Sequence, residues 1–276
     1  MIQKMFLQII LLFFLLTGFI ILYVKYYERR KLYYPDSSVE ITPQAIGLNY
    51  EDIYFLTPGG VKLNAWFIKT KKPVATVLFL HGNAGNISNR MGIIQMFHEA
   101  NFNFFIIDWR GYGESQGVPS ERGFYEDALA SYKYLVNEEK VPPGEIVIYG
   151  KSLGANVAVD LASRVKTGIF IGDSSFTSAL DMGKELFPYI PGFLLKPIIS
   201  VKFDALSKIK QVKIPKLIIH SRDDEIVPFS HGEGLFEQAL PPKKFYVLKG
   251  PHNEAIFMDN NFISTVRNFV EEYSDK

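Results

Sequence analysis

The sequence holds a serine, a cluster of acids and a histidine in an order that suits attack on an acyl carbon. Gly150-Lys151-Ser152-Leu153-Gly154 reads G-x-S-x-G, with the apolar run Ile146–Tyr149 leading in and an apolar helix pattern leading out. A serine on such a strand–turn–helix bend sits on strained backbone, and flanking glycines keep Cβ atoms out of the crowded turn. The same five residues alone would also suit a helix N-cap serine after a glycine turn. A serine nucleophile further needs a base, an acid to orient that base, and donors for the developing oxyanion. Of the five histidines, His252 in Gly250-Pro251-His252-Asn253 follows the last expected strand, and the order Ser…Asp…His selects it. His98 and His231 read as surface residues, and His81 as a structural residue of its loop. His220-Ser221-Arg222-Asp223-Asp224-Glu225 supplies three consecutive carboxylates, of which we assign Asp224 over Asp223. Asp173 is a second candidate acid that also suits a turn cap. The small residues of His81-Gly82-Asn83-Ala84-Gly85-Asn86 let backbone approach a substrate oxygen, so the amides of Asn83 and Leu153 are the expected oxyanion donors.

These residues need elements to hold them. Strand patterns over Tyr50–Thr57, Val61–Ile68, Val74–Leu80, Phe102–Asp108, Glu145–Gly150, Ile169–Gly172, Lys216–His220 and Phe245–Leu248 alternate, after the first hairpin, with helical ones. The helices are expected over Ile87–Ala100, Ser120–Glu139, Leu153–Arg164, Ser230–Ala239 and Ala255–Tyr273. That alternation predicts an α/β fold with a mostly parallel central sheet and helices on both faces. Residues 174–214 break it. They hold the apolar, proline-interrupted stretch Phe187-Pro188-Tyr189-Ile190-Pro191-Gly192-Phe193-Leu194-Leu195, expected as a short helical cap over the sheet edge where ligands bind. Phe187, Tyr189, Phe193 and Leu194 are the expected pocket residues, with core packing as the competing role.

Met5–Val24 is apolar except for Gln8, Thr17 and Gly18, long enough as a helix to cross the roughly 30 Å hydrocarbon layer. A cleaved signal has a shorter apolar core and a small-x-small site, and Tyr23-Val24-Lys25-Tyr26-Tyr27 offers none. Residues 1–31 therefore read as a single-pass membrane anchor with a basic flank, and 32–276 as the domain it carries. Lys25, Arg29, Arg30 and Lys31 after the span, against Lys4 before it, favour a cytoplasmic domain. With 30 Lys+Arg against 29 Asp+Glu, no nucleic-acid partner is expected. Zero cysteines exclude disulfides, cysteine-ligated metals and a thiol nucleophile. The Gly144–Ser152 segment mimics a phosphate-binding loop but has five residues between its glycines instead of four. Gly111, Gly113 and Gly117 likewise miss the dinucleotide spacing. Composition leaves the oligomeric state open.

Taken in order, the motifs His81–Asn86, Asp108-Trp109-Arg110-Gly111-Tyr112-Gly113-Glu114-Ser115, Pro119–Gly123, Gly150–Gly154, Asp173–Ser178, the Asp224 loop and His252-Asn253 make residues 32–272 resemble the α/β-hydrolase superfamily. Within it the sequence is most similar to membrane-anchored serine hydrolases described as lysophospholipase-like hydrolases, esterases or depalmitoylating thioesterases. The resemblance implies a Ser152–Asp224–His252 triad, no cofactor and no metal. It also implies a small-molecule or lipid acyl substrate, and a scaffold role for Asp108 and Arg110. Departures are Ser221 where a glycine is usual, and Pro251 directly before His252. A serine peptidase and a non-catalytic binding protein on the same fold are the alternatives.

Overall fold

A computed structural model of the chain describes residues 2–274, without the side chains of residues 13 and 28–31. Arg29, Arg30 and Lys31, on which the orientation argument leans, therefore have no described side chains, and residues 275–276 fall outside the description. The chain opens with helix α1 (Ile2–Lys31). Strand β1 (Tyr34–Pro35) and the hairpin β2 (Glu51–Leu56) and β3 (Lys62–Ile68) follow. Next come β4 (Thr76–Leu80), β5 (Ala84–Gly85), α2 (Met91–Glu99) and β6 (Asn103–Ile107). They lead into α3 (Glu121–Asn137), β7 (Ile146–Lys151), α4 (Leu153–Ala162) and β8 (Ile169–Asp173). Helices α5 (Ala179–Leu186), α6 (Gly192–Leu195) and α7 (Ala205–Ile209) precede β9 (Lys216–Ser221). The chain ends with α8 (Phe229–Gln238), β10 (Lys243–Leu248), α9 (Ala255–Met258) and α10 (Phe262–Tyr273).

Eight strands form one sheet in the order β10-β9-β8-β7-β4-β6-β3-β2. From β6 through β10 every pairing is parallel, and only β2–β3 and β3–β6 are antiparallel. The strand period of two explains why β4 and β7 are apolar at consecutive positions: side chains alternate between two faces, and both are covered. Leu78, Leu80, Ile146 and Ile148 join the core under α3 and α4. Val77, Phe79, Val147 and Tyr149 join the core under α2 and α10. Ser120 caps α3, its Oγ accepting from the Gly123 amide at 3.1 Å. The expected Ala255–Tyr273 helix is two, because Asp259 turns the chain between them, its Oδ1 accepting from the Asn261 amide at 2.8 Å.

The insertion standing over the sheet is smaller than 174–214. Phe176 at its start, and Phe203, Ala205, Ile209 and Val212 at its end, belong to the main core. Helices α5 and α6 and their connections instead supply Leu180, Phe187, Ile190, Leu195, Ile198 and Ile199 to a separate apolar cluster. The connector after α1 is likewise not loose. β1 pairs parallel with β5, and Asn86 Nδ2 donates to the carbonyls of Asp36 (3.1 Å) and Ser38 (2.8 Å).

The start of α4 presses against the end of β4. A Cβ on Gly154 would stand 2.0 Å from the Leu80 carbonyl oxygen and 2.5 Å from that of His81. Neither backbone atom can swing aside as a side chain could. Gly154→Ala should therefore cost on the order of 1–3 kcal/mol by overpacking. A lowered melting temperature of the detergent-solubilised protein would register it, and an unchanged one would contradict this packing.

Candidate active site

Ser152 lies between β7 and α4 with φ 54° and ψ −122°, a strained combination for a residue with a side chain. Its amide donates to the Asp173 carbonyl at 2.8 Å, which ties the bend to the neighbouring strand. A Cβ on Gly150 would come within 2.4 Å of the Ala155 Cα, so the expected need for small residues around the serine is physical here. Leu153 is the first residue of α4, where helix amides lack an intrahelical acceptor.

The acid and the base come from the ends of β9 and β10. His252 Nδ1–H donates to Asp224 Oδ2 at 2.7 Å. This leaves Nε2 as the ring nitrogen able to accept a proton. Asp224 Oδ1 accepts from the amides of Ile226 (3.0 Å) and Val227 (2.8 Å), so its own turn orients the carboxylate. Burial alone would push this carboxyl up. The hydrogen bonds from His220 and His252, the charge of His252 and the Val227 amide outweigh it, holding the group below the usual carboxylate range. His220 is fully buried behind Asp224, with Nε2 2.9 Å from the Val227 carbonyl and 3.4 Å from Asp224 Oδ2.

Two roles were not visible in the sequence. Asp223 Oδ2 accepts from the Gly250 amide at 3.0 Å, and Glu225 Oε2 accepts from the His252 amide at 2.9 Å. All three consecutive carboxylates thus hold the histidine loop, Asp224 by the ring and its neighbours by the backbone. Three acids in a row were the signal, but it read as a choice among rivals. Asp173 is engaged elsewhere: its carboxylate meets Lys151 Nζ (2.9 Å), Tyr149 Oη (3.0 Å) and Ser174 Oγ (3.0 Å). His231 is buried rather than on the surface, because its Nδ1 accepts from the Thr177 amide at 3.2 Å.

The loop carrying Asn83 is pinned on both sides. The Asn83 carbonyl accepts from the Tyr34 amide at 3.0 Å and from Tyr112 Oη at 2.7 Å, while Asn83 Nδ2 donates to the Leu32 carbonyl at 3.1 Å. Beneath it His81 is buried, Nδ1–H donating to the Gly82 carbonyl at 2.7 Å. Burial pushes the nearby Asp108 carboxyl up to about 7, against the Ile87 amide and the Arg90 charge. Arg110 makes a half-buried ion pair with the buried Asp127 at 2.8 Å, in keeping with a scaffold role.

Two cavities meet at Ser152, Asn83 and Ile226. One, of about 200 Å³, is largely apolar and includes Leu153, Met182, Leu186 and Phe187. The other, of about 380 Å³, is more polar and includes Arg90, Lys151, His252 and Glu254. The expected pocket residues need correction. Phe187 lines the apolar cavity, but Tyr189, Phe193 and Leu194 are 97%, 75% and 42% exposed and do not line it. Helix α6 is a single turn that seats Leu195 inward, so its other side chains face out. The lining falls instead to α5, at Ala179, Met182, Gly183 and Leu186. Their i, i+3, i+4, i+7 spacing was readable as an amphipathic face.

Comparison with known proteins agrees with this fold. The alpha/beta hydrolase fold family model matches residues 75–196. The alpha/beta hydrolase domain-containing protein WAV2 of Arabidopsis thaliana is 33% identical over 233 residues, 77% of this chain and 76% of its own. Protein bem46 of Schizosaccharomyces pombe is 33% identical over 240 residues, 84% of this chain and 80% of its own. A solved Pyrococcus furiosus esterase superposes with a TM-score of 0.72 at 25% identity, covering 88% of this chain and all of that one.

The three acids should separate by experiment. Asp224→Asn should lower turnover by orders of magnitude. Asp223→Asn and Glu225→Gln, which loosen the loop without removing the ring's partner, should cost about tenfold or less. Steady-state kinetics on a short-chain ester measures this, and a loss at Glu225 as large as that at Asp224 would reverse the assignment.

Proposed function

The chain belongs to the α/β-hydrolase family, and from that premise we propose that it is a membrane-anchored serine hydrolase of carboxylic esters or thioesters. The observation that carries the reading is the 2.7 Å bond from His252 Nδ1 to Asp224, in a molecule whose strained Ser152 shares a cavity with His252. Ser152 Oγ attacks the acyl carbon while His252 Nε2 takes its proton. Asp224 keeps the imidazole in the tautomer that leaves Nε2 open and offsets the charge it gains. The Asn83 and Leu153 amides donate to the tetrahedral oxyanion, an arrangement worth on the order of 10²–10³ in rate per donor. His252 returns the proton to the leaving group, then draws one from water as that water attacks the acyl-enzyme. The carboxylic acid departs and the serine is restored.

The two cavities support a division of the substrate, with the acyl chain on the apolar side and the leaving group on the side of Arg90 and Lys151. A lipid or other acyl-chain substrate fits that division. For the anchor, the most apolar 18-residue stretch within Ile2–Tyr27 has a mean hydropathy of 2.7 and is uncovered by protein. Such a face needs lipid around it, and its length exceeds the apolar core of a signal sequence. The basic residues after the span support a cytoplasmic catalytic domain.

A fluorophosphonate probe should label the wild-type protein and not Ser152→Ala, whose turnover should fall by about 10⁴–10⁶. Equal labelling of both would move the nucleophile elsewhere. Independently, the full chain should stay with membranes through an alkaline carbonate wash, because about twenty apolar residues hold far more strongly than a peripheral contact. Recovery in the supernatant would defeat the anchor.

A further inference from the structure

The apolar cavity beside Ser152 has a wall that does not come from the hydrolase domain. Val24 and Tyr27, in the last turns of α1, line it together with Ser152, Leu153 and Met182. The helix is fixed there by several independent contacts. Val24 is buried with Leu195 and Ile198 of the insertion. Tyr23 and Tyr27 both meet the Phe187 ring edge-on, at 5.9 and 5.3 Å between centroids. Lys25 Nζ donates to Ser200 Oγ, and the Leu32 carbonyl just past the helix accepts from Asn83 Nδ2. The same helix is therefore held both to the insertion above the site and to the loop that carries an expected oxyanion donor.

We propose that the end of the apolar N-terminal helix is part of the substrate site, with Val24 and Tyr27 setting how long an acyl chain the cavity takes. The proposal rests on reading Ser152 as the nucleophile toward an acyl substrate. Its physical content is continuity of apolar surface. Val24 is buried at the cavity and Ile20, one turn back, packs partly buried beside it, whereas Ile21 and Leu22 are exposed on the part of the helix that lipid would surround. A chain drawn along α1 from the bilayer to Ser152 would keep its methylenes out of water throughout. Each methylene so buried is worth about fourfold in specificity. The occupant is thus a linear acyl chain entering between α1 and α5, with its carboxyl end at Ser152.

The test uses the full chain in detergent micelles and p-nitrophenyl esters from acetyl to dodecanoyl. The quantity read is the dodecanoyl-to-acetyl ratio of kcat/KM, which cancels differences in active fraction. Val24→Trp, which fills the chamber, should lower the ratio about tenfold or more, the worth of two or three methylenes. Val24→Ala, which enlarges it, should hold or raise the ratio. Leu11→Trp, on an exposed part of the same helix, should leave the ratio as in wild type. A ratio for Val24→Trp within about twofold of wild type overturns the proposal, being less than one methylene's worth. Equal falls for Val24→Trp and Val24→Ala overturn it as well, since damaged packing, not chamber size, would then be responsible.

If the wild type cleaves no ester and takes no fluorophosphonate, the hydrolase reading fails, and a second arm still decides the wall. A dodecanoyl ester with a terminal diazirine, photolysed on Ser152→Ala, should label the peptides holding Val24–Tyr27 and Met182–Phe187. Val24→Trp should remove that label while labelling of residues 6–16, which lipid-phase probe reaches in any case, persists. Labelling of Val24–Tyr27 that Val24→Trp does not change would show only contact with the micelle and would overturn the proposal.

Discussion

Where α4 begins against the end of β4, backbone stands so close that no Cβ fits at Gly154 beside the Leu80 and His81 carbonyls. The rest of the site depends on that approach. It brings the Ser152 bend, which ends β7, against the loop that leaves β4, so that Ser152, Leu153 and Asn83 border one space. The strain at Ser152 persists because its surroundings over-determine it: a hydrogen bond to Asp173, an occluded Gly150 and a fully buried α4 leave the bend no alternative.

Opposite the serine, the problem is electrostatic rather than steric. An ionised carboxylate at a buried position is costly unless donors surround it. Asp224 is satisfied by two amides of its own turn and by two imidazoles, one behind it and one in the site. The flanking acids meet backbone amides of the facing loop. The histidine is thereby located by its main chain as well as by its ring, which suits the proton-transfer role proposed for it.

The apolar side of the site is assembled from segments remote in sequence. Helix α1 gives Val24 and Tyr27, the loop after β4 gives Asn83, the start of α4 gives Leu153 and helix α5 gives four residues to one small cavity. Phe187 is the hinge of this arrangement, touching the ends of α1 on one side and the cavity on the other. The exposed Tyr189 and Phe193 sit on the same insertion and do not line the cavity.

By itself the sequence determined the parts whose signals are local. Strands buried on both faces are continuous apolar runs, a G-x-S-x-G bend shows its glycines, and a twenty-residue apolar run shows its length. The family motifs then supplied the expectation of Ser152, Asp224 and His252 as a triad and of a scaffold place for Arg110. Tertiary structure alone decided which groups meet. The three neighbouring carboxylates divide their tasks because β10 lies beside β9, a pairing no local pattern encodes. Tyr189, Phe193 and Leu194 were apolar enough for a pocket, yet a single-turn helix turned them outward. Val24 read as membrane span because its neighbours in sequence are apolar. It borders the cavity because α1 folds back onto the insertion, and such a contact between residues more than 150 positions apart leaves no periodicity to read.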